Sequence, residues 1–189
     1  MPSTKSELQN PVETEVTEVI LTSVTEKFVI DITDTLVAFD INESINTRVL
    51  TGSMTIVDAV GMLSNLPITG QEKIELKIQK GPVGKGKKEW EKELTFFVRS
   101  VENVEKANDF TMEYQLQLVE ESYFLNALTL VSQAYTGTIN SIMMDLAEEH
   151  LQIEKFTVDA TAGTFKVIIP NWRPFAAMKW LTRRARTDA

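Results

Sequence analysis

The residues with chemical capability come in four groups. Asp31, Asp34, Asp40 and Asp58 lie in the first third of the chain and invite an acid–base reading. Asp34-Thr35 lacks the glycine that would follow in an aspartic protease. A glycosidase needs two carboxylates at a fixed separation in space, which order along the chain does not set. The adjacent pairs Glu120–Glu121 and Glu148–Glu149 are most simply solvated faces. The one histidine, His150, has no neighbouring Ser, Cys or second His with which to build a triad or a metal site. Near the end of a helix, its imidazole suits the negative end of the dipole.

Gly81, Gly86 and Lys87 have the G-x-x-x-x-G-K spacing of a phosphate-binding loop. That chemistry needs a hydroxyl next for magnesium, a buried strand before and a helix after. Lys88 stands in place of the hydroxyl, and the flanking sequence is half polar. Lys80 to Lys88 therefore reads as a solvated basic hairpin loop that projects from the fold and binds no nucleotide. Arg173, Lys179, Arg183, Arg184 and Arg186 are interleaved with Trp172, Phe175 and Trp180. Such a segment would suit nucleic acid or an anionic partner. The simpler reading is a helix with aromatics toward a core and cations at its C-terminal end. No catalytic, cofactor-binding or metal-ligating residue emerges from these patterns, and neither cofactor nor metal is expected.

Bulk properties agree. The 189 residues suit one ordinary domain or two small ones, and 43 % apolar content is enough for a real core. A net charge of -8 argues against a protein whose main task is gripping phosphate backbones. The absence of cysteine removes disulfides, thiolate metal sites and Cys nucleophiles. No apolar run approaches the roughly 20 residues that span a bilayer, so no membrane insertion is expected. The polar, acidic first 15 residues are not a secretory signal.

The elements that must position these residues divide at about residue 120. Residues 1–16 read as a flexible arm, 17–120 as an antiparallel β-barrel or strongly curved sheet, and 121–189 as a mixed α/β region. Period-two alternation predicts strands from Glu18 onward, at Lys27–Thr33, Leu36–Ile45, Val49–Val60, Glu72–Gln79, Glu93–Val104 and Phe110–Val119. Gly52 inside one of them suggests a bulge. Met62–Leu66 reads as a helical turn stopped by Pro67. Beyond 120, short helices are expected at Ser122–Val131 and, after Pro174, at Phe175–Arg186. Thr138–Leu151 should be the best helix, with Ile139, Ile142, Met143, Leu146 and Leu151 on one stripe. Short strands are expected at Thr157–Asp159 and Thr164–Ile169.

The linked stretches carry a resemblance. Phe39-Asp40-Ile41-Asn42-Glu43-Ser44-Ile45 precedes Val49-Leu50-Thr51-Gly52-Ser53-Met54-Thr55-Ile56-Val57-Asp58, and Asn65-Leu66-Pro67-Ile68-Thr69-Gly70-Gln71-Glu72 follows. Later come Gln133-Ala134-Tyr135-Thr136-Gly137 and Ile168-Ile169-Pro170-Asn171-Trp172-Arg173-Pro174-Phe175, then Ala177, Trp180-Leu181 and Arg184-Ala185. In order and spacing, over about residues 17 to 186, this succession resembles the baseplate central hub proteins of contractile-tailed, T-even-type bacteriophages, to which type VI secretion spike proteins are related.

The resemblance implies a homotrimer at the centre of a virion's tail baseplate, made in the bacterial host cytoplasm. It would join tail tube to central spike, meet other baseplate proteins and enclose a channel. Its barrels would be related to tail-tube proteins. An acidic channel would let DNA pass without specific binding. Hub proteins usually run to twice this length or more, so the chain is expected to be either a fragment or a shortened hub lacking the second barrel. The stripe of Phe175, Met178 and Leu181 beside Trp180 would then need a cover from downstream sequence or an adjacent subunit. The alternatives are a tail-assembly adaptor or chaperone, or a tube-like protein of a related contractile injection system. A hydrolase is the reading from a third class.

Overall fold

The structure is a computed structural model that describes residues 14–44, 48–66, 68–80, 90–153 and 157–187. The flexible-arm expectation for residues 1–13, the basic loop with Gly81, Gly86 and Lys87, and Pro67 lie outside the described residues. Two compact units are present. The first comprises Met1–Asn42 with Thr51–Val119, and the second Glu43–Leu50 with Glu120–Ala189. Glu43–Leu50 thus belongs with the second unit although it lies in the middle of the β-rich sequence.

The first unit is a seven-stranded antiparallel sheet curled into a half-barrel. Its strands are β1 (Thr14–Thr22), β2 (Val29–Asp31), β3 (Leu36–Asn42), β4 (Thr51–Asp58), β5 (Lys73–Lys80), β6 (Trp90–Lys106) and β7 (Met112–Val119), in the order β2-β1-β5-β6-β7-β4-β3. The sheet is open between β2 and β3 among the described residues. β1 begins at Thr14, inside the segment read as the arm, and pairs Thr14 with Lys80. A 3-10 turn (Thr33–Thr35) and the short helix α1 (Met62–Asn65) are the described helical elements of this unit.

Alternation explains why these strands form and which face each buries. Val19 and Leu21 of β1 lie beside Ile74, Leu76 and Ile78 of β5, Phe96 and Val98 of β6, and Tyr114, Leu116 and Leu118 of β7. All are buried, as are Met54 and Ile56 of β4. Gly52 makes no bulge. The β4–β7 register runs unbroken from Thr51↔Val119 to Asp58↔Met112, and the irregularity in the neighbouring pair falls between Leu36 and Ala38 of β3. Gly52 is needed instead because β3 comes too close for a side chain.

The second unit contains α2 (Glu121–Leu128), β8 (Val131–Gly137), α3 (Ile139–Leu151), β9 (Phe165–Trp172) and α4 (Pro174–Thr182). β8 pairs antiparallel with β9 from Val131↔Trp172 to Gly137↔Phe165. The strand expected at Thr157–Asp159 is not formed; those residues are irregular. The helix expected to end at Val131 stops at Leu128, because Val131 pairs in β8. Thr138 caps α3 by accepting the Ser141 N–H, and Gln152 ends it in the left-handed region at φ 54°. Pro174 occupies the first turn of α4, where its missing N–H costs nothing. α4 ends at Thr182 rather than Arg186.

One core serves this unit. Ile139, Ile142 and Leu146 of α3 pack with Val131 and Tyr135 of β8, Ile169 of β9, and Ala177 and Leu181 of α4. Met143 packs against the same cluster, and Leu151 is buried. The expectation that the α4 stripe lacks a cover is corrected here. Phe175 and Leu181 are buried within the chain, and Met178 and Trp180 pack against the cluster. β8, which the sequence reading missed, supplies part of that surface.

Candidate functional site

Three of the four aspartates are engaged in separate local hydrogen bonds rather than in one catalytic pair. Asp31 accepts from the Thr33 hydroxyl at 2.5 Å and the Thr33 N–H at 2.9 Å, and these bonds hold its carboxyl below the ordinary range. Asp34 lies exposed in the 3-10 turn. Asp40 on β3 accepts from the Ser53 hydroxyl and from the Asn42 amide. Asp58, at the end of β4, is 1 % exposed. It accepts from the N–H groups of Val60 at 3.1 Å and Leu63 at 3.0 Å, tying α1 to the sheet. Burial pushes its pKa up, but backbone N–H groups of Met62, Leu63, Val60 and Gly61 outweigh that and hold it below the ordinary value.

Two further carboxylates act on the backbone in the same way, and sequence reading gave them no such role. Glu72, 2 % exposed, accepts from the Thr69 N–H at 2.7 Å and the Gly70 N–H at 3.0 Å. Glu120 accepts from the Leu50 N–H at 2.8 Å while its own N–H donates to the Leu50 carbonyl. A turn-forming S/T-G-x-E pattern is the only sequence signal for the first; the second joins positions 70 residues apart. Glu121, Glu148 and Glu149 are exposed, as expected.

His150 Nε2 lies 3.2 Å from the Tyr135 hydroxyl, joining α3 to β8. Which atom donates depends on the imidazole tautomer. Burial, with Glu149 and Asp145 adding, raises the Tyr135 pKa, so the phenol keeps its proton. No group of three His, Cys, Asp or Glu capable of holding a metal ion occurs among the described residues.

What the first unit presents to its surroundings is the polar face of its sheet. On one part, cross-strand charges alternate: Glu18 pairs with Lys77 at 2.5 Å, and Lys77 approaches Glu93 at 3.9 Å. Glu18 foremost, through hydrogen bond and charge, raises the Lys77 pKa. On the other part a chain of hydrogen bonds crosses four strands. Asn42 donates to Asp40, Ser53 to Asp40, Gln115 to Ser53 at 3.1 Å, and both Asn103 and Gln117 to Gln115 at 3.1 Å. These groups satisfy one another and carry no activated nucleophile. Edge strands β2 and β3 leave backbone groups unpaired with any further strand among the described residues, and Val29 and Val37 on them are exposed.

In the C-terminal segment the aromatics cluster. Trp180 meets Trp172 at 5.8 Å and Phe165 at 6.0 Å between ring centroids, and the Arg184 guanidinium stacks 3.6 Å over Trp180. Arg173, Lys179, Arg183 and Arg186 are exposed.

No protein-family model and no curated protein sequence matches the chain. Solved structures do. The chain is similar to the tail protein from Neisseria meningitidis MC58, with TM-score 0.52 and 16 % identity, over 88 % of this chain and 44 % of that one. It is also similar to a chain of the Francisella PdpA–VgrG complex in its half-lidded form, with TM-score 0.52 and 12 % identity, over 91 % of this chain and 28 % of that one. It spans less than half the length of either. The half-barrel and the small α/β unit that follows it are thus a fold shared with a tail protein and with a component of a VgrG complex.

Proposed function

We propose that the chain is a structural component of a phage tail baseplate or a related contractile injection machine. It would be a ring-forming hub, trimeric, that joins tail tube to central spike and encloses the DNA channel. The observation that carries this reading is the fold shared with a tail protein over 88 % of the chain. Two features support it. Among the described residues the curled sheet has open edges, which neighbouring chains in a ring can cover. The buried carboxylates Asp58 and Glu72 accept backbone N–H groups, a structural use that asks for no reaction.

The test is the mass of the purified chain in solution, followed by imaging of particles that contain it. A trimer, or co-assembly with tube and spike proteins at the tail's distal end, supports the hub. A stable hexamer overturns it in favour of a tube-like protein, and a monomer that leaves the finished particle overturns it in favour of an assembly adaptor.

A further inference from the structure

The C-terminal cations lie in a chain of opposite character. From Trp172 to Ala189 there are five cationic residues and one carboxylate side chain, Asp188, in a protein whose net charge is -8. Three of the five, Arg183, Arg184 and Arg186, line one cavity of about 490 Å³ together with Ile139, Ala162, Gly163, Thr164, Phe165 and Ala185. Its walls are fastened. The Ala162 N–H donates to the Arg186 carbonyl at 2.8 Å. One residue earlier, Thr161 exchanges hydrogen bonds with Asn140 at the start of α3, the Asn140 N–H donating to its hydroxyl at 3.0 Å.

The three guanidinium groups are not equivalent. Arg184 is fixed by its stack on Trp180 and by a bond from Nη1 to the Trp180 carbonyl at 3.0 Å. That bond answers a carbonyl at the helix C-terminus and uses one of five N–H donors. The side chains of Arg183 and Arg186 have no hydrogen-bond or ion-pair partner among the described residues. Cations concentrated at one concave place, beside apolar Phe165 and with no carboxylate among the described lining residues, are arranged to receive a negative charge.

We propose that this cavity is a docking site for an acidic protein segment, with a Glu or Asp carboxylate seated between Arg183 and Arg186 and neighbouring apolar atoms against Phe165. A carboxylate side chain fits the volume and the mixed lining. A nucleic-acid backbone needs a cationic track over many phosphates, and three arginines at one concave place do not make such a track. The inference stands on the second unit alone and holds whether or not the chain is a ring component.

The experiment is fluorescence anisotropy of a labelled hexaglutamate peptide with the full chain at low salt. A single-stranded oligonucleotide of equal charge serves as the comparison. Saturable peptide binding is expected, weakened about tenfold or more by the double variant Arg183→Glu/Arg186→Glu. Lys179→Glu reverses a charge in the same segment without touching the cavity and should weaken binding less than about threefold. Circular dichroism checks that each variant is folded, as expected for exposed side chains. Absence of saturable binding overturns the proposal. So does equal loss with Lys179→Glu, which means diffuse attraction, and so does tighter binding of the oligonucleotide.

Discussion

Gly52 lies so close to Asp40 across the β3–β4 pair that a Cβ at position 52 would stand 2.7 Å from the Asp40 carbonyl oxygen. Backbone, not a flexible side-chain end, blocks the space. Gly52→Ala must therefore push β3 away from β4 and strain the Asp40–Ser53 bond beside it. The expected loss is about 1–3 kcal/mol. It is read as a lower urea midpoint with an unchanged denaturant slope. An unchanged midpoint would mean that β3 moves freely.

Asp58 makes the stability of the first unit depend on acid. Its folded pKa lies below the ordinary value of 3.8. Its contribution is therefore complete above the unfolded value and is lost as pH falls through the folded one. Asp58→Asn should remove that acid-sensitive component, leaving a flatter stability profile below about pH 4. At neutral pH the variant should lose about 1–3 kcal/mol, since buried N–H groups lose a charged acceptor. Denaturant unfolding of both proteins across that range is the measurement.

Leu146 is fully buried at the centre of the second unit's core. Leu146→Ala should cost about 2–5 kcal/mol. Thermal unfolding checks it; a loss below about 0.5 kcal/mol would place the α3 stripe against solvent.

The Tyr135–His150 pair should act as a brace between β8 and α3. Tyr135→Phe removes one hydroxyl and should cost about 0.5–1.5 kcal/mol. In a double-mutant cycle with His150→Ala, the second loss should be smaller than in the wild type. Strict additivity would show that the hydroxyl and the ring do not interact.

Much of the architecture is written in the order of the residues. Period-two alternation in Val19–Leu21, Ile74–Leu76–Ile78 and Tyr114–Leu116–Leu118 determines that these segments are strands and which face each buries, because the side-chain period of a strand is two. The spacing of Ile139, Ile142 and Leu146 determines α3 in the same way, and Pro174 marks the start of α4. Tertiary structure alone decided the rest. β8 buries just Val131 and Tyr135 along its length, so it has no alternation to read; pairing with β9 makes it a strand. That pairing and α3 cover the α4 helix whose cover the sequence left open. Gly52 owes its identity to Asp40, and Glu120 its role to Leu50, contacts across 12 and 70 residues that only a folded chain brings together. The gathering of Arg183, Arg184 and Arg186 opposite Ala162–Phe165 likewise depends on a loop returning past α3. Local pattern fixes the conformation of a segment; burial and partners are fixed by what returns to meet it.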